Sequence, residues 1–230
     1  MLEYFIARAS SFAGSVDGQV TLITVLVGVW FLLAQGVFFG FLFKFRAQPG
    51  KKAEYITGEE KHQKRWVTIP HILVLICDVF IIIGAVKVWV EVKQDLPPPD
   101  VTVRIVAQQW AWTFVHPGPD GRLDTDDDIA TTDELHVESG KVHHFQLEAR
   151  DVLHSFSVPA FRLKQDAVPG RRITGWFEPT LVGEYDIQCA EICGIGHGIM
   201  GARIHVEDHA QHAAWLTSNA RSTLASATSP

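Results

Sequence analysis

Cysteine is scarce in this chain, with three thiols among 230 residues. One of them, Cys77, lies inside an apolar run where a buried free thiol is the ordinary expectation, so no disulfide framework can organise the fold. No Cys-x-x-Cys-His segment occurs, which excludes a covalently attached c-type haem from this chain. Positive charge is also short: the net charge is −6, which argues against a nucleic-acid partner and suits attraction of a basic protein. Internal repeats are absent. Strand-like runs do not alternate regularly with helices, and a doubly wound nucleotide-binding fold is thereby excluded. Residues Met1 to Gln19 include Glu3, Arg8 and Asp17; without a basic start, an apolar run and a small-residue cleavage site, they do not read as a signal peptide.

Hydrophobicity is concentrated before residue 91. Val20 to Phe43 carries no charge and is long enough to span a bilayer as a helix. A second span is predicted from about residue 67 to 90, with Pro70 tolerated in its first turn and Lys87 able to snorkel. The connecting segment holds Lys44, Arg46, Lys51, Lys52, Lys61, Lys64 and Arg65 against Glu54, Glu59 and Glu60. The positive-inside rule makes it cytoplasmic, with both chain ends outside. Asp78 is the costly residue within the second span, on the same helical face as His71. It is expected to meet a partner subunit, with proton conduction as the alternative.

Residues 1–94 are thus expected to form an N-terminal segment and transmembrane hairpin, and Asp95-Leu-Pro-Pro-Pro-Asp100 a stiff linker. From 101 to 207, short alternating runs broken by Pro and Gly predict an all-β sandwich or barrel. A short helix from Asp208 to Asn219 and a disordered tail to residue 230 complete the chain.

Within the β region, residues 189–200 read Cys-Ala-Glu-Ile-Cys-Gly-Ile-Gly-His-Gly-Ile-Met. Thiolates and a thioether beside an imidazole select copper, and the second thiol suggests two ions rather than one. Each of those ions needs an imidazole, so a further His must come from elsewhere. A disulfide between Cys189 and Cys193, or a zinc site completed by two His, are the alternatives, but neither gives Met200 a role.

The pattern Cys-x-Glu-x-Cys-x-x-x-His-x-x-Met resembles that of subunit II of haem-copper cytochrome c oxidases, from the first span through about Val206. The resemblance implies a two-helix transmembrane hairpin plus an all-β cupredoxin-like Greek-key barrel, with the metal loop between its last two strands. It implies a binuclear copper A centre held by Cys189, Cys193, His197, Met200 and the backbone carbonyl of Glu191. His154, in Asp151-Val-Leu-His-Ser-Phe-Ser-Val-Pro159, is implied as the second imidazole; His143 and His144 are its rivals by residue type. The Glu191 carboxylate is implied to bind magnesium shared with subunit I. Asp166 and Arg171 of Leu163-Lys-Gln-Asp-Ala-Val-Pro-Gly-Arg171 are implied to face that subunit near its haem propionates.

In Gln109-Trp110-Ala-Trp112-Thr-Phe114, alternation puts Trp110 and Trp112 on one side, as core or as an exposed patch. The resemblance makes Trp110 the point where the electron arrives from cytochrome c, and Asp151 a docking acid. The acidic loop with Asp124, Asp126, Asp127 and Asp128 reads as a solvated hairpin tip, a docking patch for a basic donor or a calcium site. One departure stands out: the position that commonly carries Glu at a proton channel is Gln63, leaving Glu59, Glu60 or His62 as substitutes.

The implied function is electron transfer. The chain would accept electrons from cytochrome c, or from a cytochrome c domain of a partner complex, and pass them to haem in subunit I. There oxygen is reduced to water and protons are pumped. Subunit III is a further implied partner and the bacterial inner membrane the implied location. A membrane-anchored copper store is the rival, but it needs neither the Trp pair nor the Asp166–Arg171 segment. The intact copper loop argues against a quinol oxidase subunit, and the absence of a large catalytic domain against a nitrous oxide reductase.

Overall fold

The computed structural model describes residues 4–52 and 55–227. Glu3, Glu54 and the end of the expected tail, residues 228–230, lie outside the described residues. The chain divides into two compact units: residues up to Val16 together with Val90 onward, and Asp17–Trp89.

The smaller unit is built from helices α1 (Ala13–Lys44) and α2 (Lys61–Trp89), and α2 runs on into a single π-helical turn, Val90–Gln94. Both helices are long and apolar enough to cross a membrane. The two helices of the hairpin touch at polar points. Gln19 Nε2 donates to the Ile81 carbonyl at 3.0 Å, and Trp30 Nε1 lies 3.4 Å from Cys77 Sγ. Gly84 makes the first contact possible, since a Cβ there would meet Gln19 Oε1 at 2.2 Å. Asp78 is exposed on the α2 surface. Gln63 accepts a hydrogen bond from the Gly58 amide at 2.8 Å and so caps the loop entering α2.

The larger unit is a sandwich. Strands β1 (Val101–Gln108), β2 (Ala111–His116), β3 (Ile129–Thr132), β5 (His143–Ala149) and β8 (Ile173–Phe177) form one sheet in the order β3-β2-β1-β5-β8. Strands β4 (Glu134–Glu138), β6 (His154–Val158), β7 (Leu163–Ala167), β9 (Gly183–Cys189) and β10 (Gly201–Glu207) form the other, in the order β4-β10-β9-β6-β7. Alternation drives the assembly: in β5 every second residue, from His143 to Ala149, is buried. The core is aromatic. Phe156 lies 5.7 Å from Trp112 and 5.8 Å from Phe145 between ring centroids, and Phe177 lies 5.4 Å from Phe161. Such pairs add about 0.5–1.5 kcal/mol each beyond area burial. Gly175 leaves the space that the Phe145 ring fills.

Two boundaries differ from those expected. The N-terminal segment belongs with the β unit rather than the hairpin: Ala9 N donates to the Ala160 carbonyl, Thr180 N donates to Ala9, and Ser10 bridges to Pro179. Phe12 is buried against Trp176 at 5.3 Å. Short apolar residues spaced through nineteen mixed positions gave no periodic signal for this packing. Helix α3 (His209–Ala227) also runs past Asn219, because the Ser, Thr and Ala residues that follow include no Pro or Gly to stop it. It lies over β4, with Trp215 stacked on His136 at 4.3 Å.

Burial of two imidazoles near this helix makes the unit acid-sensitive. Desolvation pushes His143 down to about 4 and His116 down to about 3. His143 Nε2 lies 3.0 Å from the Glu138 carbonyl, whereas its Nδ1 meets no partner among the described residues. In the unfolded chain both rings titrate near pH 6.5, so as pH falls the unfolded state takes up protons first. Their stabilisation is complete above about pH 6.5 and drains away toward pH 4, on the order of 3 kcal/mol for His143. The expected result is a thermal midpoint that falls steeply between pH 6.5 and 4, and less steeply in His143→Phe; an identical slope in that variant removes the explanation.

Candidate metal centre

The loop between β9 and β10 is closed at its neck by Cys189 N donating to the Met200 carbonyl at 3.1 Å. Ala190 N is tied to the Ser155 carbonyl, and Phe156 pairs with Cys189 in the sheet. The loop is therefore anchored on β6, the strand that begins with His154. His154 is completely buried, and Cys189, Cys193 and Met200 are almost so.

Three ligand-type side chains and one backbone carbonyl converge around the two thiols. Cys189 Sγ and Cys193 Sγ are 3.7 Å apart, far beyond a disulfide of about 2.05 Å. That separation suits two thiolates sharing a metal at bonds of about 2.3 Å. His154 Nδ1 lies 3.9 Å from Cys189 Sγ, and His197 Nδ1 lies 3.6 Å from Cys193 Sγ. Each thiol thus has its own imidazole. Met200 Sδ is 3.7 Å from Cys193 Sγ, and the Glu191 carbonyl is 3.3 Å from Cys189 Sγ. This donor set fits two soft cations better than one zinc, because it holds more ligands than a tetrahedral ion takes, including a thioether. Burial, followed by the neighbouring Cys189, pushes the Cys193 thiol up to about 11, so metal binding must release protons here.

His154 is held in a usable tautomer. Its Nε2 pairs with Asp151 Oδ1 at 2.8 Å, which leaves Nδ1 its lone pair facing the thiol. Asp151 also accepts hydrogen bonds from the Gln109 and Val152 amides. Burial of the Asp151 carboxyl is outweighed by these bonds, and its pKa is lowered. The inward role of Asp151 was missed from sequence, although its place three residues before a candidate ligand is a detectable signal. His143 and His144 lie elsewhere, bonded to the Glu138 and Pro97 carbonyls.

Trp110 and Trp112 do not share a side. Trp110 precedes β2 in a turn and is 37% exposed, whereas Trp112 is fully buried in the core; alternation fails because only one of them is in the strand. The Trp110 indole covers the metal loop, with Nε1 donating to the Cys193 carbonyl at 3.1 Å. Gln109 Nε2 donates to the same oxygen at 2.8 Å. Glycine is required beneath the ring, because a Cβ on Gly196 would meet Trp110 Cδ2 at 2.4 Å.

The remaining predicted residues are placed as follows. Asp166 accepts from Ser155 Oγ at 2.8 Å and Lys164 Nζ at 3.1 Å, which hold its pKa down, while Arg171 is exposed. In the acidic loop, Asp124 pairs with Arg104 at 2.6 Å. Asp127 accepts from Thr125 and the Asp120 amide, and Asp128 from the Asp124 amide. Asp126 is exposed. Much of this carboxylate charge is therefore engaged by β1 or within the loop.

The chain is similar to known proteins. The family described as "Cytochrome C oxidase subunit II, periplasmic domain" matches residues 101–207. The alternative cytochrome c oxidase subunit 2 of Bradyrhizobium diazoefficiens is 32% identical over 197 residues, covering 76% of this chain and 69% of that protein. Cytochrome c oxidase subunit 2 of Thermostichus vulcanus is 41% identical over 121 residues, 53% of this chain and 34% of that one. The crystal structure of the periplasmic domain of subunit II of cytochrome oxidase from Bradyrhizobium japonicum is similar with a TM-score of 0.50 and 27% identity, covering 56% of this chain and 99% of that domain. Two long apolar helices followed in the chain by a two-sheet cupredoxin-like domain fit that family, and the chain belongs to the cytochrome c oxidase subunit II family, whose members are subunits of an oxidoreductase.

Proposed function

We propose that this chain is the electron-accepting subunit of a membrane cytochrome c oxidase. It takes electrons from cytochrome c, or from a cytochrome c domain of a partner complex, and passes them to haem in subunit I, where oxygen is reduced to water and protons are pumped. The observation that carries this reading is the paired arrangement of Cys189 with His154 and Cys193 with His197 about a 3.7 Å sulfur–sulfur separation. Two copper ions held there would share one unpaired electron, with Met200 and the Glu191 carbonyl as weak ligands.

The chain's own residues supply rigidity and access. Asp151 fixes the His154 ring, and the sheet pairing of Phe156 with Cys189 fixes one thiol against it. Trp110 offers a surface ring joined by one hydrogen bond to the carbonyl of a thiolate residue. In the metal loop Ile192, Ile195 and Ile199 are exposed at 75, 97 and 85%, apolar surface of the kind that marks a protein contact. We assign this apolar surface to docking of the donor, with Asp126 of the acidic loop, beyond the other end of β2 from Trp110, as a steering charge. The Glu191 carboxylate is assigned to magnesium shared with subunit I, and Asp166 and Arg171 to the face toward that subunit. Subunit III and the haem-bearing subunit complete the assembly.

The helices α1 and α2 anchor the chain in a bacterial cell membrane, with the basic connecting loop on the cytoplasmic side. The attachment of residues 9–13 to the β unit supports a topology with the N-terminus and the copper domain on the same, outer side.

Electron paramagnetic resonance on the copper-loaded full chain tests the core of this reading. Two coppers per chain with hyperfine splitting shared equally by both nuclei are expected; splitting by a single copper nucleus refutes it. Replacing Trp110 with Ala is expected to leave copper content unchanged and slow electron uptake from the donor by about tenfold or more, as removal of a central aromatic contact does. Unaltered uptake kinetics exclude Trp110 from the route.

A further inference from the structure

A second group of ligand-type side chains lies on the outer face of the sheet that carries the metal loop. Leu135, Val137, Ile204 and Val206 point into the core, so Glu134 and His136 on β4, and Arg203 and His205 on β10, face outward. The two strands are parallel neighbours, and their register sets His205 opposite His136 and Arg203 opposite Glu134. One ligand atom from each of Glu134, His136 and His205 lies within 4.8 Å of the others.

The far side of each imidazole is already engaged. His136 Nδ1 pairs with Glu207 Oε1 at 2.7 Å, and His205 Nδ1 lies 3.5 Å from Glu184 Oε1. A carboxylate on one ring nitrogen holds the proton there and leaves the other nitrogen its lone pair, the arrangement that metal-binding histidines use. His205 Nε2 is turned to the Glu134 carboxylate. Trp215 of α3 stacks on His136 with planes 15° apart and limits its rotation. The only cation in the row, Arg203, is taken by Asp186 at 2.6 Å, so it does not compete for Glu134. Local charge is left strongly negative.

We propose that Glu134, His136 and His205 form a second, mononuclear site for a divalent cation of borderline softness such as zinc. Two imidazoles and one carboxylate suit that ion class, whereas calcium and magnesium prefer all-oxygen sets. A tetrahedral ion with bonds of about 2.1 Å places its ligands about 3.4 Å apart. His205 is stacked on His136 with ring planes 14° apart, so His205, on the side away from Trp215, turns out of the stack to aim its free nitrogen at the ion, which leaves a fourth position open to water. The ion would tie β4 to β10, the strand that leaves the copper loop. Alternation hides this site in the sequence, because its ligands come from Glu134-x-His136 and a strand about 70 residues later.

The test uses the full chain carrying Cys189→Ser and Cys193→Ser, so that loop thiols take up no added metal and the result is independent of the copper assignment. Zinc alone is added, and binding is read by calorimetry with metal analysis. One zinc per chain is expected. Loss of that zinc in His205→Ala, and a dissociation constant raised about tenfold or more in Glu134→Gln, are expected as well. The conservative Glu134→Gln change sits at an exposed position and guards against mistaking misfolding for lost binding. Absence of zinc uptake overturns the proposal. So does uptake that survives His205→Ala, or uptake that is instead abolished by His209→Ala on α3.

Discussion

Replacing Cys193 with Ser is expected to abolish the two-copper spectrum and to reduce oxidase turnover by more than the 10–100-fold that loss of an outer partner of a metal typically costs. The reason is its position at the junction of the site. Cys193 Sγ is 3.7 Å from both Cys189 Sγ and Met200 Sδ and 3.6 Å from His197 Nδ1, so a single atom faces three other donors. A hydroxyl in its place is harder and shorter, and it does not ionise readily in a pocket where burial already holds the native thiol near 11. Copper content and paramagnetic resonance of the assembled oxidase provide the check. A variant that keeps splitting by two equivalent coppers excludes bridging by this sulfur.

Asp151→Ala is expected to weaken copper binding by about 10–100-fold without removing any ligand. The substitution frees the buried His154 to adopt either tautomer and leaves its Nε2 without the 2.8 Å carboxylate contact. It also strips acceptors from the Gln109 and Val152 amides, which loosens the turn that carries Trp110. Competition with a copper chelator measures the affinity, and Asp151→Asn, which keeps an acceptor oxygen, is expected to recover part of it. If Asp151 served only to attract the donor, copper affinity would be unchanged and the salt dependence of donor association would flatten instead.

The convergence of Cys189, Cys193, His197 and Met200 was legible because all four lie between the end of β9 and the start of β10. His154 was reached only through resemblance, since sheet pairing and not chain spacing brings β6 to β9. The long apolar runs announced α1 and α2, and alternation marked β1, β5 and β8, whose buried residues recur at every second position or lie in apolar runs. Alternation misjudged the Trp pair because it describes strands and Trp110 sits in a turn. Side chains that are already paired, such as Asp124 with Arg104 of β1, look in sequence like free surface charge. Their partners are distant in the chain, and composition cannot assign them.

The attachment of residues 9–13 to the β unit has a consequence for assembly. Phe12 contributes about 1.5–3 kcal/mol of burial to a domain whose other strands begin at residue 101. The domain is thus sewn shut by a thread that precedes the membrane hairpin in the chain. In the topology proposed above, insertion of both helices delivers that thread to the outer side before the Ala160 carbonyl and Thr180 amide find their partners. A fragment cut free at the linker would be born with this seam open, Trp176 uncovered, and would report on a looser domain than the one the membrane holds.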